Sequence, residues 1–263
     1  MSTASYAARD SMTMLRRNLK HALRYPSLTL MVAAMPVMML LLFNYAFGNA
    51  LGDGISTMPT GGDEYIDYVA PGILLMAATS GALSAAISVC TDKTEGIVNR
   101  FRTMSISRSS FLTGHVVGSV IQTLVGLALV VGVALLVGFR PDATPVEWLA
   151  AAGLLTLLAL ALTWLSVAMG LVAKSVETAS NMPMPLTFLP FLGSAIVPTD
   201  SMPTGLRYFA EYQPFTPMIE TLRGLLVGTE IGDSAVISLA WCAGLTLAGY
   251  LWSRKAFARA TRR

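Results

Sequence analysis

Eighteen residues between two long apolar stretches, Thr91 to Arg108 (TDKTEGIVNRFRTMSISR), hold four of the chain's 18 Lys and Arg and predict a short charged helix ending in a turn. Glu95 and Arg100 put opposite charges on that helix and Phe101 adds an apolar anchor. Charge of this kind fixes the register of a docked protein, and the ring supplies burial. The chemistry on offer is recognition: a soluble partner facing this side of a membrane gains a handle. A plainer reading stays open, in which Arg100, Arg102 and Arg108 only supply the positive charge that cytoplasmic flanks carry.

Means for catalysis are missing. None of the four lysines, Lys20, Lys93, Lys174 and Lys255, follows a glycine, so the G-x-x-x-x-G-K-[ST] phosphate cradle is absent. Neither H-E-x-x-H nor G-x-S-x-G occurs, and His21 and His115 are the only histidines. Cys90 and Cys242 lack metal-ligand spacing and read as buried apolar fillers. No catalytic residue, metal site or cofactor is expected on this chain. His115 and Gln122, seven apart, share one side of a helix. A proton relay would want more titratable partners than these, so a hydrogen-bonded interfacial histidine is the expectation.

The elements that must position these residues follow from composition. Of 263 residues, 54% are hydrophobic and 13% charged, against roughly 25% charged in an average soluble domain. This is an all-α polytopic membrane protein. Crossing the hydrocarbon takes ~20 apolar residues at ~1.5 Å each, and six spans fit: 27–47, 68–90, 111–137, 148–173, 181–197 and 234–252. The fifth holds Pro183, Pro185 and Pro190, so it is expected to be broken or kinked. The domain reading is one transmembrane unit over 1–263: an amphipathic segment at 1–26, six spans over 27–252 and a basic tail at 253–263.

Positive charge fixes the orientation. With six spans, the side holding both termini collects 15 of the 18 Lys and Arg, leaving only Arg140, Arg207 and Arg223 opposite. Eleven of the 15 acids fall on that opposite side. Both termini are therefore expected in the cytoplasm, with the chain in the cytoplasmic (inner) membrane, and the sorted charge supports six spans. It also explains a pI near 9.0 without nucleic acid, for which no aromatic-interleaved basic surface exists. The first span is expected to be retained, since Arg9, Arg16, Arg17, Lys20 and Arg24 extend over an amphipathic segment and no small-residue cleavage site follows.

That segment, residues 4–24, separates apolar from basic residues on a helical wheel and predicts an interfacial helix that binds membrane lipid, or one that also touches a partner. Residues 48–67 predict an outer loop rich in Gly and acid. Residues 198–228 carry amphipathic spacing interrupted by Pro214 and Pro217, which predicts two short helices re-entering the outer leaflet before the last span. Gly114, Gly118, Gln122 and Gly126 form a small-residue stripe on the third span, as Ser80, Ser84 and Ser88 do on the second. Such stripes usually pack helices; lining a cargo path is the other reading, and Asn44, Ser84 and Gln122 are its candidates. Met31, Met35, Met38, Met39 and Phe43 offer an adaptable surface that suits either lipid or cargo.

The stretches DYVAPGILLMAATSGALS (67–84) and TEGIVNRFRTMSISRSSFLTGHVVG (94–118) resemble the membrane subunits of type-2 ABC exporters, most closely the daunorubicin-resistance-type drug permeases. MPTGLRYFAEYQPFTPMIETLRGLLVG (202–228) is similar to that family's outer segment before the last span. The resemblance implies two membrane subunits, a second copy or a sister permease, assembled with cytoplasmic ABC ATPase subunits that hold the ATP and Mg. It implies that Glu95, Gly96, Arg100 and Phe101 lie on the main ATPase-coupling helix, with Arg102 and Arg108 flanking its end. Where relatives commonly carry proline this chain has Ser105, which implies a looser turn. By the same logic Lys174 opens the second, smaller contact. Pro214, Pro217, Glu220 and Arg223 match the outer pattern, where Glu220 and Arg223 are spaced as an i,i+3 pair; a gate role and simple closure of the outer face both fit.

Without intramembrane carboxylates to mark an ion-driven path, energy is expected from a partner. The function expected is export of a hydrophobic or amphipathic compound, a drug, antibiotic or lipid, from a bacterial cell. Export of a glycan or lipid-linked polymer is an alternative, though 8% aromatics are few for stacking sugars. A non-transporting membrane receptor or immunity protein is the other.

Overall fold

The computed structural model describes residues 26–47, 65–95 and 108–260, and every regular element among them is helical. In chain order they are α1 (Pro26–Leu42) running into a π-helical turn (Phe43–Phe47), α2 (Tyr65–Thr94), α3 (Arg108–Val137), α4 (Pro145–Val172), α5 (Val176–Asn181), α6 (Met184–Phe188), α7 (Thr204–Tyr212), α8 (Phe215–Val227) and α9 (Ser234–Ala260). Short 3-10 turns occupy Leu189–Leu192 and Thr199–Ser201. The amphipathic segment at 4–24, most of the loop at 48–67 and the heart of the basic hairpin lie outside the described residues.

Among the described residues, four helices are long and apolar enough to cross a membrane: Tyr65–Thr94, Leu112–Val137, Pro145–Val172 and Ser234–Arg259. Their shortest, 26 residues, spans ~39 Å at ~1.5 Å per residue. The stretch Ala33–Ala46 is apolar but shorter. The fifth expected span is not one helix. After α5 ends at Asn181, Pro183 turns the chain, α6 lasts five residues and a 3-10 turn carries Pro190. Each proline removes a donor that a continuous helix would use.

The core is built on α2, which packs against α1, α3, α4 and α8. Its sequence explains that centrality: Gly and Ala recur along it, and close approach follows. At Gly72 an added Cβ would lie 2.6 Å from the Ala195 carbonyl oxygen, and at Gly81 it would run into Thr123 on α3. Gly170 on α4 meets the Ala86 backbone in the same way. Residues α2 buries from Ile66 to Leu75 join Phe139, Leu158, Leu162, Phe215, Met218, Ile219 and Leu222 in one apolar cluster.

By contrast, α3 and α9 turn Val125, Leu129, Leu136, Val236, Leu239, Leu247 and Leu251 outward. Large apolar side chains on the outside of long helices suit a hydrocarbon solvent. Met35 and Met38 on α1 face outward too. Most of the basic tail is helical, because α9 continues to Ala260 and carries Arg254, Lys255 and Arg259 on its last turns; residues 261–263 lie outside the described residues. Outside the membrane-crossing lengths, α4 starts from a capping box. The Thr144 N–H donates to Glu147 Oε2 at 2.6 Å, the Glu147 N–H returns to Thr144 Oγ1, and Pro145 occupies the first helical position.

Candidate functional site: the two ends of the helical bundle

One end of the bundle gathers where α2 and α4 finish and α3 begins. Helical hydrogen bonding in α2 runs through Glu95, whose N–H reaches Thr91 O at 2.9 Å, and the Glu95 side chain is exposed. Gly96, Arg100, Phe101 and Arg102 lie outside the described residues, and Arg108 is the first residue of α3. Lys174 is exposed between α4 and α5, where Ser175 caps α5 by accepting from the Thr178 N–H at 3.2 Å. The two chain segments read from sequence as cytoplasmic connections therefore leave the bundle side by side.

Two residues at this end carry more than sequence reasoning gave them. Lys93, counted only as a positive-side charge, donates from Nζ to the carbonyls of Leu171 at 2.8 Å and Ala173 at 2.9 Å. Those carbonyls sit at the C-terminus of α4, where acceptors lose their helical donors and favour a cation. Asp92 Oδ2 stands 3.0 Å from Nε2 of the buried His115, whose Nδ1 is 3.5 Å from Ser88 Oγ. His115 is thus the hydrogen-bonded histidine expected, and Asp92 is the partner that expectation did not name. The signal available was the adjacent Asp92-Lys93 pair closing an apolar run.

At the opposite end, Pro214 precedes α8 and Pro217 sits buried in its first turn. The helix ends at Gly228, whose φ of 78° is left-handed. The expected Glu220–Arg223 ion pair does not form. Arg223 is buried and its guanidinium lies 3.9 Å over the Tyr68 ring. It donates to Tyr68 O at 3.2 Å and to Ser194 O at 2.8 Å, while Glu220 accepts from Ser234 Oγ at 2.8 Å. The α8 helix is not surface-laid; it is packed by α2, α4 and α9, so Arg223 turns inward to the broken segment. The Tyr68 hydroxyl also donates to Ser194 O, at 3.2 Å. One cation therefore joins α2, the proline-rich break and α8.

Neighbouring α7 behaves as a surface helix, with Leu206, Tyr208, Phe209 and Tyr212 exposed. Its Arg207 bonds Glu211 and pairs with Asp200, each at 2.7 Å, and the Glu211 hydrogen bond leads in raising the Arg207 pKa.

The cargo candidates lie on three separate elements. Asn44 is half-buried in the π-helical turn, and Gln122 is half-buried on α3. Ser84 is half-buried and donates to Gly81 O at 2.8 Å within its own helix. Among the described residues, no group of His, Cys, Asp and Glu assembles that would hold a metal ion.

An all-helical bundle with a buried helix such as α8 at one end is compatible with several transport folds. The deciding observation is the match of residues 10–227 to the family described as ABC-2 type transporter. The chain belongs to the ABC-2 type transporter family. It is 28% identical over 224 residues to the daunorubicin resistance ABC transporter permease protein DrrB1 of Streptomyces coeruleorubidus, covering 85% of this chain and 77% of that one. It is 22% identical over 211 residues to the probable doxorubicin resistance ABC transporter permease protein DrrC of Mycobacterium tuberculosis, covering 80% and 74%. The putative transport permease ycf38 of Porphyra purpurea is 26% identical over 222 residues, covering 83% and 74%. With its long apolar helices, this ABC-2 chain is a multi-pass membrane permease.

Proposed function

We propose that this ABC-2 chain is the membrane subunit of an ATP-driven exporter that moves a hydrophobic or amphipathic compound of the drug, antibiotic or lipid class outward across the cytoplasmic membrane. The family match over residues 10–227 is the observation that carries the reading. The names of the relatives, which specify daunorubicin and doxorubicin resistance, favour a drug-like cargo. The hydrolysing engine is a separate ATPase holding ATP and Mg. It docks on the hairpin of Glu95, Gly96, Arg100, Phe101, Arg102 and Arg108 and, less extensively, at Lys174. A second permease copy or sister chain completes the path.

In this reading there are six crossings: α1 with its π-helical turn, α2, α3, α4, the broken 181–197 segment and α9, with both termini in the cytoplasm. The broken fifth crossing is then covered by this chain only around Ala195, which packs on α2, while Met184, Phe188 and Leu192 stay exposed for lipid or the second permease to cover. Arg223, held by carbonyls from α2 and from the break, supports an outer gate formed with Pro214, Pro217 and Glu220: separating α8 from α2 requires breaking that node.

The test is efflux of a fluorescent anthracycline from cells carrying the permease and its ATPase. Glu95→Ala or Arg100→Ala is expected to abolish ATP-dependent efflux while the variant chain still inserts. Efflux equal to the unmodified chain's would remove the hairpin from the coupling path.

A further inference from the structure

The last turn of α2 is fastened to two other helices at once. Lys93 Nζ bonds Leu171 O and Ala173 O at the end of α4. Asp92 bonds His115 on α3 at 3.0 Å. Two residues before Asp92, Cys90 packs with Ala173, which follows α4, and with Ala179 on α5 in a fully buried cluster. The chain therefore enters both cytoplasmic connections, 96–107 and Lys174–Thr178, from one shared base.

We infer that the two connections act as a single lever pinned by Lys93, a positioning residue, and not as two independent contacts. This rests on the reading that an ATPase works from that side. An ammonium bridging two carbonyls is a charge-assisted contact that neither partner replaces from its own helix. A push on either connection must shift Ala173 and Lys93 together, and the Asp92–His115 contact hands the same displacement to α3. Lys93→Met keeps an unbranched side chain one atom shorter and removes every donor, so the exposed surfaces remain but the two ends come apart.

The test uses the full chain assembled with its ATPase in lipid vesicles, with daunorubicin as the transported probe. Spin labels on Thr94→Cys and Val176→Cys, both exposed positions, report the separation of the two connections, since Cys90 and Cys242 are buried. With Lys93 present that distance is expected to be narrow and the same with and without ATP. In Lys93→Met it broadens, and daunorubicin moved per ATP hydrolysed falls about fivefold or more, the range a coupling contact of this kind controls. A nucleotide-dependent distance in the chain that has Lys93, or an unchanged transport ratio in Lys93→Met, overturns the pin. Failure of any ATPase to assemble with the unmodified chain instead removes the functional reading and the pin with it.

Discussion

Replacing Arg223 by lysine is expected to harm the protein more than replacing it by methionine. The guanidinium serves two carbonyls in different segments and stacks on Tyr68. A lysine ammonium on a shorter fork reaches one of those carbonyls and loses the flat stack. It forfeits one charged hydrogen bond, about 1.5–3 kcal/mol, and a stacking contribution of about 1 kcal/mol. The charge stays buried. Methionine loses both bonds, yet it also relieves a desolvation penalty of several kcal/mol, and the acceptors left behind keep other donors: Ser194 O retains the Tyr68 hydroxyl. Arg223→Lys should therefore cost about 2–4 kcal/mol and Arg223→Met about 1–2 kcal/mol. In a chain of this size that separates the melting temperatures by several degrees, at roughly 2–4 °C per kcal/mol. Cys90 and Cys242, free and buried, provide the readout, because a thiol-reactive fluorophore labels them only as the bundle opens. A lysine variant that melts at or above the methionine variant would refute the account of this node as a buried, multiply bonded charge.

Gly170→Ala drives a methyl into the Ala86 backbone, which cannot rotate away, and should cost about 1–3 kcal/mol in the same melt. Gly153→Ala, with open space around it, should be neutral or stabilising by up to ~1 kcal/mol. Thr144→Ala removes the cap of α4, so amide exchange at Val146 to Trp148 should quicken while the middle of α4 stays protected. A cysteine placed between Gly54 and Gly62 should react with an impermeant reagent in intact cells; labelling only after permeabilisation would invert the proposed orientation.

How much of this was legible depended on whether the signal was local. Long apolar runs predicted α2, α3, α4 and α9, because burial in lipid demands composition rather than particular neighbours. Pro183, Pro185 and Pro190 announced the break after α5, since a missing donor acts on its own helix. Pro214 marked the start of α8, whereas Pro217, read as part of the same interruption, lies inside its first turn, where a missing N–H costs no helical bond. Arg223 was legible only as a residue of an outer segment. That it turns away from Glu220 follows from α8 packing against α2 and α4, a tertiary fact that i,i+3 spacing does not encode. Lys93 misled for a related reason: a lysine ending an apolar run satisfies the positive-side rule whether it faces water or, as here, the carbonyls of another helix. The resemblance to the drug permeases rested on stretches spread from Asp67 to Gly228, and the family match over residues 10–227 takes in all but the last of these residues.

The central claim is that the chain moves cargo only when a separate ATPase drives it. Purified chain in lipid vesicles, with and without its cognate ATPase, measures this directly through ATP-dependent movement of daunorubicin. Transport is expected only with both subunits and ATP; transport by the chain alone at the same rate would contradict the account.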